Sequence, residues 1–172
     1  LAVFPLGETL VTFSATDAAG NIGTATSTVT VTDQTAPEIT APADGTLAAT
    51  DASGLASSDA SVQAWLATAS ASDNVDTSMT IINDAPEILT IGSTVVTFTV
   101  TDAAGNSASA TATVTVADLT APVITAPAAI TLLGENDGLA ATDASVTDFL
   151  ASITASDNVD GAIASITNDA PA

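Results

Sequence analysis

Apolar residues alternate with Thr and Ser along Thr94–Asp118, TVVTFTVTDAAGNSASATATVTVAD. Val96, Phe98 and Val100 precede a Gly-Asn turn, and Ala112, Val114 and Val116 follow it. A period of two on both sides of a turn predicts a β-hairpin with one buried face. The same pattern runs without a gap through Thr9–Asp33, TLVTFSATDAAGNIGTATSTVTVTD. The recurrence predicts a tandem array, each hairpin closing on an Asp that is followed by Thr-Ala-Pro.

The segments between the hairpins repeat as well. TAPEITAPA from Thr35 and TAPVITAPA from Thr120 each set a short extended run between two prolines, as suits an edge strand. Asp59 precedes Val62, Trp65 and Leu66 at helical spacing, and Asp143 opens a matching stretch with Phe149 in place of Trp65. One or two helical turns with an Asp N-cap are predicted in each copy, the aromatic residue serving as a core plug. Asp17 and Asp102 are 102 − 17 = 85 residues apart, and Pro37 and Pro122 are 122 − 37 = 85 apart. A unit of this length suits a small sandwich. The repeats divide the chain into the closing hairpin of one unit (1–32), a complete unit (33–117) and the opening part of a third (118–172).

Composition changes the picture chiefly through charge. The 172 residues include 20 Asp and Glu but no Lys, Arg, His or Cys, and 47% are hydrophobic. That apolar share predicts a folded chain rather than an acidic disordered one. Only Trp65 and four Phe supply aromatic bulk, so each core must be thin. Without cations the chain has nothing to neutralise phosphate, which excludes nucleic acid, acidic membranes and phosphorylated ligands as partners. No carboxylate can find an internal salt bridge. Two carboxylates ~6 Å apart repel by roughly 3 kcal/mol at an effective dielectric of ~20, so a cluster of them calls for a counter-ion from solution. A halophile's solvating surface would also be acidic, but it would not require acids at matched positions. No stretch is long and apolar enough to insert in a membrane, and no signal peptide is visible, so the sequence reads as an interior window of a longer exported chain.

The matched motifs resemble those of the hyalin-repeat (HYR) type of immunoglobulin-like domain, in the form found in long bacterial surface proteins. They are the Asp-x-Thr-Ala-Pro lead-in at Asp33 and Asp118, SDNVD at Ser72 and Ser156, Gly-x-Thr-x-Val-x-Phe at Gly92, TDAAGN at Thr101 and the closing TVTV strand. The resemblance implies an all-β fold of tandem Ig-like antiparallel β-sandwiches with one short helical turn per repeat, and a structural or adhesive role without catalysis. Many animal members carry a Cys pair that is absent here, so no disulfide is implied.

In an Ig-like sandwich the lead-in, the B–C loop and the F–G turn share one pole. With SDNVD as the B–C loop and TDAAGN as the F–G turn, Asp33, Asp73, Asn74, Asp76 and Asp102 are expected to meet at the junction with the preceding repeat. Asp118, Asp157, Asn158 and Asp160 form the corresponding set in the third repeat, and Asp17 belongs to an equivalent junction before residue 1. Oxygen ligands without nitrogen or sulfur suit Ca²⁺. Asp-Asn and Gly-Asn are also ordinary turn formers, but turn formation alone does not gather several carboxylates at one pole without a basic partner. The loops lack the spaced pattern of an EF-hand. Asp59 and Asp143 read as helix caps rather than ligands.

The expected function is a structural segment of an extracellular, calcium-stabilised stalk, fibre or filament, with adjacent repeats as end-to-end partners. Joined end to end, the NDAPA terminus and the LAVFPLGETLVTF start read almost as the chain does from Asn83. That phase suits a unit cut from a giant polypeptide, the reading preferred here, or a permuted subunit whose missing strands come from a neighbour. An adhesive module recognising a glycan, a partner cell or ice through the Thr111, Thr113 and Thr115 row is the alternative, although exposed alternating Thr is ordinary in a one-sided strand. An enzyme is disfavoured because His, Lys, Arg, Cys and Tyr are all absent from the usual catalytic inventory.

Overall fold

The computed structural model describes residues 3–134 and 138–170. In chain order the elements are β1 (Gly7–Thr16), β2 (Ile22–Val31), β3 (Glu38–Thr40), β4 (Gly45–Ala48), β5 (Leu55–Ala56), α1 (Ala60–Leu66), β6 (Ser70–Ser72), β7 (Ile81–Asn83), β8 (Ile88–Leu89), β9 (Gly92–Thr101), β10 (Ser107–Ala117), β11 (Val123–Thr125), α2 (Ala144–Ala151), β12 (Thr154–Asp157) and β13 (Gly161–Ala162). The fold is all-β and Ig-like, with two short helices among the described residues. One sheet has the order β4-β10-β9-β7. The contacts within the chain divide it into two compact units, and β9 and β10 each contribute a half to both.

The first unit comprises Leu1–Ala41, Ala69–Asn83 and Thr97–Thr111. In it β1 and β2 form a regular antiparallel hairpin from Gly7 opposite Val31 to Thr16 opposite Ile22. The short strand β3 pairs with β6, and β7 with β9. Phe98 and Val100 are buried, as the alternation requires. The turn after β9 closes with Asp102 N–H donating to the Asn106 carbonyl at 3.0 Å, and Gly105 supplies its positive φ of 93°. The first hairpin departs from the expectation of a buried face. Phe13, at the register of Phe98, is 59% exposed, because among the described residues β1 and β2 pair only with each other.

The second unit comprises Pro42–Thr68, Asp84–Val96 and Ala112–Ala172. Here β4 runs parallel to β10, with Thr46 opposite Thr115, a pairing outside the expected antiparallel scheme. The reason lies at Pro42, which cannot donate to a ladder: β3 ends before it, and the chain resumes after Ala43 against a different strand. Asp44 reinforces the new partner by accepting the Thr113 N–H at 2.7 Å. Strands β5 and β8 pair through Leu55 and Leu89, both buried together with Val62, Val96, Val114 and Val116. Helix α1 begins where Asp59 accepts the Ser61 N–H at 2.8 Å, and Asp143 caps α2 through Ser145 in the same way, as the sequence predicts.

Trp65 is half-buried rather than a full core plug. Its indole N–H needs a polar partner and finds the Ala43 carbonyl at 2.9 Å, while its ring lies where a Cβ on Gly45 would touch it at 3.5 Å. In the third copy Phe149 stands in place of Trp65 and Ile130 in place of Gly45. Phe149 and Ile130 there line one shallow groove. Strand β11 pairs with β12, and β12 with β13, leaving Val123 and Ile124 67% and 60% exposed.

Candidate metal centre

Three separate pieces of chain bring the first acidic cluster together. Asp33 ends the connection from β2, Asp73 follows β6 and Asp102 follows β9. One carboxylate oxygen from each lies within 4.8 Å of the other two. Asp102 is the one buried charged side chain among the described residues. Both of its oxygens are held by Asn106, Oδ1 by the backbone N–H at 2.7 Å and Oδ2 by the side-chain amide at 2.7 Å. Asn106 also donates to the carbonyls of Asp33 and Thr35, at 3.4 and 3.2 Å, and so ties the turn to the lead-in. Sequence reasoning read this residue only as a turn former. Its recurrence as Asn21 in the other hairpin was the available signal.

The Asp73 loop is shaped by its own carboxylate. Oδ1 accepts the N–H groups of Val75 and Asp76 at 2.8 and 2.9 Å. Those hydrogen bonds, that from Asp76 foremost, hold the Asp73 carboxyl below the ordinary aspartate value of 3.8, because they favour its charged form. Asp33 likewise uses Oδ1, accepting from Thr35 N–H at 3.0 Å. The second oxygens of Asp33 and Asp73 are shielded from solvent and accept no hydrogen bond from the described residues. Of the other predicted members, Asp76 turns Oδ2 to the Ala103 N–H at 2.8 Å, Asn74 is exposed, and neither of them is in the three-carboxylate group. Asp17 stands apart, wrapped by the Ala19 and Asn21 N–H groups and the Asn21 amide. The Asn21 amide is the main reason that its carboxyl is also held below 3.8.

A second cluster lies in the third copy, where Asp118, Asp157 and Asp160 place carboxylate oxygens within 4.8 Å of one another. The Asp157 carboxylate accepts from Val159 and Asp160 N–H at 2.7 and 3.1 Å, and its Oδ2 is again shielded and without a partner among the described residues. Asn158 is not a member. Its amide donates to the carbonyls of Ala49 and Thr50 at 3.1 and 3.3 Å, fastening the loop to the end of β4.

Shielded carboxylate oxygens without donors are costly unless neutralised. No Lys, Arg or His exists in the chain to do so. The donor set is all oxygen, which fits a hard divalent cation of flexible geometry. The Thr row is less open than alternation alone implies: Thr113 and Thr115 are half-covered, and the Thr115 hydroxyl shares a 3.0 Å hydrogen bond with Ser93. No helix among the described residues is long and apolar enough to cross a membrane.

Comparison with known proteins agrees with the motifs. The family profile described as "HYR domain" matches residues 32–116. Hyalin of Lytechinus variegatus is 37% identical over 131 residues, covering 73% of this chain, and hyalin of Strongylocentrotus purpuratus is 34% identical over 125 residues, covering 69%. The chain spans 24% and 10% of the lengths of these two relatives. With its hairpin, acidic loops and capped helix in place, the segment 32–116 is an HYR-type domain.

Proposed function

We propose that this chain is a segment of an extracellular stalk, fibre or filament, built of end-to-end repeats and stiffened by Ca²⁺ at each junction. The observation that carries the reading is the Asp33, Asp73 and Asp102 cluster, in which one oxygen of each residue lies within 4.8 Å of the other two and in which Asp33 and Asp73 each hold a shielded oxygen without a donor among the described residues. The likeness to hyalin and its HYR domain supports a structural or adhesive module rather than a catalyst. A cation bridging the lead-in, the SDNVD loop and the hairpin turn removes hinge freedom where one repeat passes into the next. Extracellular modules of this kind bind with Kd ~10⁻⁴ to 10⁻³ M, so the sites fill after export. At free calcium ten times Kd, each site adds about 1.4 kcal/mol.

Calorimetric titration of the whole chain with calcium, paired with small-angle scattering, tests this. Saturable binding with a stiffer particle is expected. Asp33→Asn keeps the Oδ1 that Thr35 uses and replaces only the orphaned oxygen, so the variant should fold at least as stably without calcium and lose one site's binding. Absence of binding at millimolar calcium, or identical scattering with and without chelator, would overturn the proposal.

A further inference from the structure

Asn158 ties the third copy to the repeat before it. It sits in the turn between β12 and β13, where Asp157 pairs with Gly161. Its amide donates to the carbonyls of Ala49 and Thr50 at 3.1 and 3.3 Å, across 109 and 108 residues of sequence. Both carbonyls follow the end of β4, inside residues 33–117. Ala49 is buried, at 4% exposure, and a carbonyl taken from water there needs a donor.

Asn is an ordinary turn former, but this turn is closed by its neighbour. The Asp157 carboxylate accepts the N–H groups of Val159 and Asp160 at 2.7 and 3.1 Å, which leaves the Asn158 amide to reach across to the preceding repeat. The carbonyls it reaches are held firmly. The Ala49 N–H donates to the Ala117 carbonyl at 2.8 Å, and the Thr50 N–H to that of Gly54 at 3.2 Å. The Thr50 hydroxyl donates to the same Gly54 oxygen at 3.1 Å. Ala117 is the last residue of β10, and the chain passes into the third copy at Asp118. The amide contact therefore stands beside the covalent crossing as a second point of attachment. A joint made at one point can swivel about it, and a second point removes that freedom.

We propose that the carbonyl pair of Ala49 and Thr50 is a docking surface between repeats, that its partner is the SDNVD loop of the repeat that follows, and that the Asn158 amide fixes the angle at which the two meet. An amide suits the place because both contacts are to acceptors and its two N–H bonds serve one each, whereas a carboxylate has none to give. The joint is directional without a bound cation. The inference shares with the proposed function only the succession of repeats along the chain, and it needs no calcium.

The test is the distance between spin labels on α1 and α2, read by pulsed electron paramagnetic resonance on the 172-residue chain in chelator. The chain has no Cys, so Ala64→Cys and Asp148→Cys, both at exposed positions, carry the only labels. The parent should give one narrow distribution. Asn158→Ala and Asn158→Asp should broaden it, the ratio of docked to undocked conformers falling about tenfold or more. Asp keeps the size and turn chemistry of Asn but has no donor, so this variant separates the latch from a turn. Asn74→Asp adds the same charge to the matching loop in the other compact unit and should leave the distribution unchanged. A second label pair within the third copy, Val123→Cys and Asp148→Cys, should stay narrow in every variant. A parent as broad as Asn158→Ala, a narrow distribution for Asn158→Asp, equal broadening by Asn74→Asp, or broadening of the second pair overturns the proposal. Because calcium is withheld throughout, failure of the calcium site leaves these outcomes as they are.

Discussion

The side-chain amide of Asn106 donates to the carbonyl of Thr35 at 3.2 Å, across 71 residues of sequence. The same amide reaches Asp102 at 2.7 Å, so one side chain joins the hairpin turn, the buried carboxylate and the lead-in. Asn21, at the same place in the first hairpin, reaches only its own turn among the described residues, through Asp17 at 2.8 Å.

Asn106→Ala should therefore cost about 1–3 kcal/mol, the penalty for leaving a shielded acceptor without its donor. Asn21→Ala, in an exposed turn, should stay within about 0.5 kcal/mol. Urea denaturation of the two variants provides the measurement. Equal effects would mean that Asn106 acts as a local turn former and nothing more.

Much of this was legible in the sequence, and what escaped has physical reasons. Alternation around TDAAGN located β9 and β10, because a half-buried antiparallel pair forces a period of two. Asp59 and Asp143 announced two helix starts through their own side-chain chemistry. The meeting of Asp33, Asp73 and Asp102 followed once the loops were assigned to one pole of a sandwich. The parallel β4–β10 pairing did not, since strands of three and four residues on either side of Pro42 carry too few positions to show which partner each takes. Nor could alternation reveal that Phe13 is bare while Phe98 is covered. The pattern marks the face that wants burial, and the covering residues lie elsewhere.

The helix caps give a pH dependence of definite sign. Hydrogen bonds from the Ser61 and Ser145 hydroxyls are the leading cause that Asp59 and Asp143 are held below the ordinary 3.8. A carboxyl with a depressed pKa in the folded state binds fewer protons there than when unfolded. Its stabilisation is present above 3.8 and is lost as the pH falls through the lowered value. Asp59→Asn keeps a competent cap that does not titrate. The parent and this variant should match in stability near pH ~6, and the parent should fall behind as pH drops below ~3.8, towards ~2. Urea midpoints of the two proteins, compared at each pH, cancel the titration of the other carboxylates. A difference that stays flat through this window would show that ionisation of Asp59 adds nothing to the cap.

Gly54 and Gly92 separate backbone strain from steric exclusion. Both have positive φ, 106° and 116°, so any side chain is strained at either position. At Gly92 an added Cβ meets nothing within 4 Å, whereas at Gly54 it falls 2.1 Å from the Leu89 carbonyl oxygen. That oxygen belongs to β8, which pairs with β5 immediately after Gly54, so relief requires the pair of buried leucines to move. Gly92→Ala should cost about 1–3 kcal/mol, the range for a residue held in a sparsely populated conformation. Gly54→Ala must bear that cost and the displacement of β5 from β8 as well, and should fall among the exceptional losses above about 4 kcal/mol. If urea denaturation gives the two variants the same stability, the β5–β8 contact yields easily, and Leu55 and Leu89 are not held in register by the backbone at Gly54.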